Sequence, residues 1–466
     1  MRWKTTLVLL IATVALGAYV SLVELKHPTP EQQQRLDTQV ARILPDDAKE
    51  LTITSSSGTV TLARADGHWR MRAPKSARAD EDLVRRILNQ LSPLDAARVL
   101  RGSKDKPLKL AEFGMEPPKA TLAVTTSAAA VSLAFGEPTA VGHQHYVRRG
   151  NDSTVYVVPD GLLDLLTQPV DAFRSHQLVS LEAWKLTGLE VASNRASYSL
   201  THGTADTDRW RLAKPIEDLA DPDATSQVVS ALTKLPIERV ITDEPKADAL
   251  PTYGFDQPYA KVTADVEEGP KLEVVFGSAT NDDAQQVYAK RSDEPSIYAV
   301  SRSKVDDLLP EPSALRARAC FATDPTQATK LEIQWPNNAW TIELKDHQWK
   351  AAGGGEALDQ ERVDALLARV KDIKVAQFVP NETASAQNGL APAQGIVRVW
   401  TTDSESAQQL EIGNLKDQTT GRYGRIERRP GLVELPPEIL GIMQTPLASL
   451  KPAPASTPPP AKTPVH

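Results

Sequence analysis

The sequence predicts an α+β body of three tandem modules behind a single N-terminal transmembrane helix. Each module is expected to be mainly antiparallel β with one longer and one short helix. Three observations predict this. A tryptophan recurs at Trp69, Trp210 and Trp349, an aspartate follows each at Asp80, Asp221 and Asp359, and an uncharged run extends from Thr5 to Val23. The chain then divides into an anchor (1–26), a polar stalk (27–47), repeat modules at 48–180, 181–323 and 324–450, and a disordered Pro-rich tail (451–466).

The anchor rests on length and flanking charge. Thr5–Val23 is just long enough to cross the hydrocarbon core of a bilayer as a helix. A cleavable signal would end in a small-x-small site, whereas cleavage after Ala18 would place Leu16 at the −3 position. Arg2 and Lys4 precede the run, so the N-terminus would stay cytoplasmic and the body would lie outside an inner membrane, in the periplasm. The stalk carries Pro28, Pro30 and Gln32–Gln34, and the tail is too rich in proline, alanine and threonine to bury a core.

The repeats organise the rest. Each tryptophan lies near the end of a strand-like segment, and each aspartate opens an amphipathic stretch. Apolar residues follow at matching offsets: Ile87, Leu88 and Leu91; Val228, Val229 and Leu232; Leu366, Leu367 and Val370. Such spacing lies on one face of a helix. An aspartate just before that helix accepts hydrogen bonds from its free N–H groups, and Pro222 suits the first helical position. Downstream, each copy has a glycine turn (Gly114, Gly254, Gly389), a strand ending in glycine (Gly136, Gly277, Gly413), a hairpin and a short helix at 162–166, 305–309 or 438–443. Alternation such as Leu51-Ile53 and Val60-Leu62 predicts sheets with one face on a core.

Charge and residue types exclude several function classes. A net charge of −7 without basic runs gives no electrostatic case for nucleic acid. Arg70, Arg72, Lys75 and Arg78 read as a solvated strand edge. The single cysteine, Cys320, allows no internal disulfide and reads as a small buried hydrophobe. His143 and His145 would share a strand face and could offer two metal ligands, but no third is evident. Gly353–Gly355 lacks the lysine of a phosphate loop and reads as a turn. The paired acids Asp80/Asp82, Asp221/Asp223 and Asp306/Asp307 could serve acid–base chemistry, yet their positions favour caps and solvated helix faces. The repeated tryptophans read as core, and Trp184, Trp335, Trp340 and Trp400 as the better candidates for an exposed binding face. No catalytic residue, metal site or cofactor is assigned.

The RWKTTLVLL opening, the W-x-x-x-x-P strand ends (Trp69–Pro74, Trp210–Pro215) and the [FY]-G-[MF]-x-x-P turns (Phe113–Pro118, Tyr253–Pro258) occur in a fixed order. With the F-G…Y-V…V-Y-x-V-P series, they resemble an uncharacterised family of membrane-anchored bacterial proteins. Its members carry a repeated domain of unknown function and are often encoded beside ABC-type transport components of gliding-motility auxiliary systems. The resemblance runs from Met1 to about Leu450; the third copy departs from it, with Asn388-Gly389 replacing the aromatic-glycine pair. It implies an envelope protein whose partners are a transporter component and the bilayer. The expected function is a non-enzymatic scaffold or adaptor. The alternatives are a binding module for cell-wall glycan or an exported polymer, and a hydrolase built around His143 and His145.

Overall fold

In the computed structural model the described residues are Trp3, Thr13 and 37–452, apart from 104–105, 141, 204–208, 268, 354, 403–405 and 417–420. Packing groups the chain into two compact units. One comprises residues up to Leu178 with Pro236–Ala247 and Pro295–Ala299; the other comprises Val179–Leu235, Asp248–Glu294 and the chain from Val300.

Three large antiparallel sheets follow one another in the sequence. The first contains β1 (Ala48–Ser55), β2 (Gly58–Ala65), β3 (His68–Ala73), β4 (Ala77–Arg78), β5 (Arg98–Leu100), β6 (Ala120–Thr126), β7 (Ala130–Pro138), β8 (Gln144–Arg149) and β9 (Val155–Pro159), with helices α1 (Glu81–Gln90) and α2 (Leu162–Leu166). Its strand order is β4-β3-β2-β1-β6-β7-β8-β9-β5. The order is decided by a crossover: the chain leaves the β4 edge through α1 and returns to the opposite edge as β5.

The second sheet repeats that order. It contains β10 (Leu186–Ser193), β11 (Ser197–His202), β12 (Trp210–Lys214), β13 (Asp218–Leu219), β14 (Arg239–Thr242), β15 (Ala260–Val266), β16 (Leu272–Ala279), β17 (Gln286–Arg291) and β18 (Ile297–Ser301), with α3 (Pro222–Thr233) and α4 (Arg302–Asp306). The third has β19 (Ala328–Trp335), β20 (Asn338–Lys345), β21 (Gln348–Ala351), β22 (Gln377–Val379), β23 (Gly395–Thr401), β24 (Gln408–Leu415), β25 (Arg422–Ile426) and β26 (Leu432–Leu435), with α5 (Gln360–Asp372) and α6 (Ile439–Met443). It lacks the two-residue edge strand, and a single bridge, Lys350 to Ala357, stands there instead.

The helices start where the spacing predicts. Asp80 accepts a hydrogen bond from the Leu83 amide, Asp221 from those of Asp223 and Ala224, and Asp359 from that of Arg362. Ile87, Leu88 and Leu91, with their counterparts in α3 and α5, are buried against the sheets. In the first core they meet Leu51, Ile53, Leu62 and Leu122; each such side chain contributes roughly 1.5–3 kcal/mol. The closing helix of the second sheet starts at Arg302, three residues before the expected start at Val305.

The glycine signature has a steric cause. Gly114, Gly254 and Gly389 adopt left-handed φ values of 67°, 73° and 69°. That turn lays the preceding carbonyl directly over the strand glycine, so a Cβ at Gly136, Gly277 or Gly413 would lie 2.1, 1.9 or 2.1 Å from the oxygen of Phe113, Tyr253 or Asn388. The identity of the residue before the turn glycine matters less than its carbonyl, which is why Asn388 can replace an aromatic.

Several expectations require correction. The α+β class gives way to a mostly antiparallel β body, because sheets of nine, nine and eight strands carry only one helix of ten or more residues each. The transmembrane helix, and with it the single-pass inner-membrane placement, is also withdrawn. Among the described residues no helix is long and apolar enough to cross a membrane. The longest, α5, has 13 residues and spans about 20 Å, short of the ~30 Å hydrocarbon core. The run 5–23 itself lies outside the described residues apart from Thr13, as do His27 and residues 453–466. Of the stretch assigned as a stalk, 27–47, the described part from residue 37 joins the first module. Gln39–Ala41 pairs with Leu94–Asp95, and Val40 and Ile43 are buried in the first core.

The glycine packing can be tested by denaturant unfolding. Gly277→Ala is expected to cost about 3 kcal/mol or more, because the opposing atom is backbone and cannot rotate away. Gly269→Ala, whose Cβ would come no closer than 3.7 Å to a neighbour, should change stability by less than about 0.5 kcal/mol.

Candidate functional site

The structure disperses most of the residues that might have carried chemistry. His143 lies before β8 in a left-handed turn with φ of 49° and pairs with Asp160 at 3.6 Å, while His145 is within the strand, so the two do not share a strand face. Among the described residues no three His, Cys, Asp or Glu side chains are grouped to hold a metal. Asp80 and Asp221 are caps, with Asp82 and Asp223 in the first turns. Asp306 accepts from the Tyr259 hydroxyl. Gly353 has a left-handed φ of 86° in a turn, and Gly354 lies outside the described residues.

The tryptophans divide differently from the sequence reading. Trp69 and Trp349 are buried, whereas Trp210 is half-buried against His202. Trp340 is buried and donates its indole N–H to the Thr445 carbonyl. Trp335 lies under Arg422 and Trp400 under Lys330. Of the four proposed for an exposed face, Trp184 alone is largely exposed, at 70%.

The ionisable groups that are brought together sit on the segments leaving the first two sheets. These segments follow one plan. The N-cap amides of Asp80 and Asp221 donate to the carbonyls of Phe173 and Leu315, and the amides of Ser175 and Ala317 donate to Arg78 and Leu219. The amides of Ile237 and Val375, beyond the next long helix, donate to His176 and Arg318. An arginine occupies the same place in each segment, at Arg174 and Arg316.

In the first unit, Arg174 donates through both terminal nitrogens to Asp243, at the end of β14. Lys75 approaches the same carboxylate at 3.5 Å, and the Ser296 hydroxyl donates to it at 3.3 Å. Arg78, half-buried, bonds the Gln177 carbonyl, whereas Lys75 remains largely exposed as it approaches Asp243. Burial would raise the Asp243 pKa, but hydrogen bonds and charge from Arg174, with help from Lys75, hold it below the ordinary carboxylate range.

In the second unit, Arg316 Nε donates to Asp218 Oδ2 at 2.7 Å, and Arg429 donates to both carboxylate oxygens at 2.7 and 2.9 Å. The Asp218 side chain is wholly buried. Burial again opposes ionisation, and the two arginines outweigh it to lower the pKa. Further donors are occupied by backbone: Arg429 bonds the Ala317 and Ala319 carbonyls, and Arg316 bonds that of Pro430. The Arg316 guanidinium also lies 3.8 Å from the centre of the Phe378 ring.

A cavity of about 270 Å³ opens beside this cluster and includes Arg211, Gln408, Arg428 and Cys320 in its wall. Burial pushes the Cys320 thiol up to about 12, so it remains protonated and a poor nucleophile. Asp218 is poorly placed to act as a base, since four N–H groups, from Arg316, Arg429 twice and the Leu219 amide, already address it. The arrangement can hold segments together; it offers no acid–base pair. Sequence reasoning missed Asp218, Asp243, Arg174 and Arg316, although the FRSHQL and LRARAC segments carry the recurring arginine in plain view.

A sheet protein whose copies are joined by buried arginine–carboxylate clusters is a structural repeat protein. The chain belongs to the family of the domain of unknown function DUF4340, which matches residues 69–250 and again residues 210–392. Both matches begin on a repeated tryptophan, so the family's unit runs from the third strand of one sheet into the turn region of the next. None of the curated proteins matches the chain.

Asp218→Asn should lower the unfolding free energy by about 3–5 kcal/mol at neutral pH, since it leaves two buried arginines without a counter-charge. The folded pKa of Asp218 lies below its unfolded value, so its contribution is complete above the ordinary carboxylate range and disappears as pH falls through the lowered value. The gap between parent and variant, read from urea titrations, should therefore hold from about pH 5 to 8 and begin to narrow only below about pH 4, as pH falls toward the lowered value.

Proposed function

We propose that the protein is a non-enzymatic scaffold or adaptor whose repeated sheets present surfaces to a protein partner. The partner class is an ABC-type transport component, from the genetic setting of the family the sequence resembles. The observation that carries this reading is the use made of the buried acids. Asp218 and Asp243 have strongly perturbed environments of the kind active sites use, yet arginines from the connecting segments occupy their oxygens. Charge is spent on fixing the copies, which suits a part that must hold a shape for another molecule.

Site-specific photo-crosslinking of the full chain in its native cells tests the proposal. Probes placed at exposed positions of each sheet should trap a transport component reproducibly from at least one position. Crosslinks to no reproducible protein from any sheet would reject the adaptor reading.

A second reading, a binding module for glycan or an exported polymer, is supported by Trp184. Its exposed ring carries Lys185 at 4.9 Å on one side and can stack on a sugar ring. Trp184→Ala should then weaken glycan retention at least about tenfold, the loss of a stacking contact of ~1.4 kcal/mol or more, with an unchanged unfolding midpoint. Equal retention by the variant would remove this alternative.

A further inference from the structure

The second sheet has an opening where the first and third have a closed polar pair. Five residues after the turn glycine stand Lys119, Tyr259 and Gln394, and immediately after the strand glycine stand Glu137, Ser278 and Asn414. In the first sheet Lys119 Nζ meets Glu137 at 2.7 Å, and in the third Gln394 donates to Asn414. In the second, Ser278 is too short to span the gap. Tyr259 is engaged elsewhere: its hydroxyl donates to Asp306, and the Arg302 guanidinium lies 4.9 Å from its ring centre.

The space left is an open cavity of about 320 Å³, walled by Asn194, Arg195, Gln257, Ser278, Arg302 and Tyr259 among others. Its charges do not cancel. Arg195 shares Asp306 with Tyr259, at 3.6 Å, while Arg302 has its aromatic contact and, among the described residues, no ion pair. Two guanidinium groups thus face one carboxylate. An arginine stacked on an aromatic ring is held in place with its N–H edge still able to grip a carboxylate bidentately. Asn194, Gln257 and Ser278 add neutral donors and acceptors suited to hydroxyl or amide groups.

We propose that this cavity, which lies outside the scaffold role argued above, binds a small polar monocarboxylate of the sugar-acid or N-acylated amino-acid class. One net positive charge matches a monoanion, and the neutral polar wall matches the rest of such a molecule. The ion pair of the first sheet and the amide pair of the third fill the corresponding space with protein groups, so binding belongs to the second copy.

Calorimetric titration of the full chain tests this with sodium D-glucuronate and sodium N-acetyl-L-glutaminate as probes, D-glucose as a neutral sugar and inorganic phosphate as a more highly charged anion. At least one carboxylate probe should bind saturably, and glucose and phosphate should bind at least tenfold more weakly. Arg302→Gln should weaken the carboxylate at least tenfold. The double variant Tyr259→Lys, Ser278→Glu rebuilds the pair of the first sheet; it should fold, as judged by circular dichroism, and lose binding. The proposal is overturned if neither carboxylate binds, if glucose or phosphate binds as tightly, or if both variants bind as the parent does.

Discussion

An arginine held at a largely buried position of a connecting segment must be neutralised where it lies, and that requirement shapes both junctions of this protein. The segment is fixed first by backbone: it accepts from the N-cap amide of the preceding helix and from an amide beyond the following one. The side chains of Arg174 and Arg316 are then largely withdrawn from water, 11% and 5% exposed. A desolvated guanidinium without a carboxylate would cost several kcal/mol. The carboxylate must therefore come from whichever neighbouring strand end can reach it.

The two junctions meet the requirement from opposite directions. Three residues before the N-cap, the first copy has Ala77 and the second has Asp218. Six residues after the amide that bonds the segment, the second copy has Asp243 and the third has Asn381. The acid thus stands after the arginine's segment in one junction and before it in the other. The second arrangement gathers two arginines on one aspartate and keeps an excess positive charge. Phe378 and the carbonyls of Ala317, Ala319 and Pro430 spread that charge, the ring through its negative face and the carbonyls through direct acceptance.

This compensation marks the limit of what the sequence reveals. Periodic signals were legible because each acts locally: Asp80, Asp221 and Asp359 cap helices within their own turn, and the apolar offsets behind them face one sheet. The glycine pairs were legible as a pattern, though their cause was not, since Phe113 and Gly136 meet only in three dimensions. The Asp218–Arg429 contact joins residues far apart in the chain, and no spacing rule reaches it. The tryptophans failed for a related reason. Trp340 looked irregular by position, but a strand places it inward, where Thr445 accepts its N–H. The N-terminal run was judged on its length, its flanking charge and a poor cleavage site, and it lies outside the described residues apart from Thr13.

Repetition also changes how a polar site should be weighed. A group that recurs in all copies, such as the capping aspartates, is accounted for by the architecture that recurs with it. A group present in one copy calls for a separate cause, and the copies themselves supply the control. Asp218 passes that comparison as structure, because the other junction obtains the same neutralisation from Asp243. Tyr259 and Ser278 do not, because the polar contact they displace in the first and third sheets is not remade between them. What the second sheet loses in pairing it regains only partly through the Tyr259–Asp306 bond, and among the described residues Arg302 makes no ion pair. Held against the Tyr259 ring on the wall of an open cavity, that residue is where an external anion would contribute most.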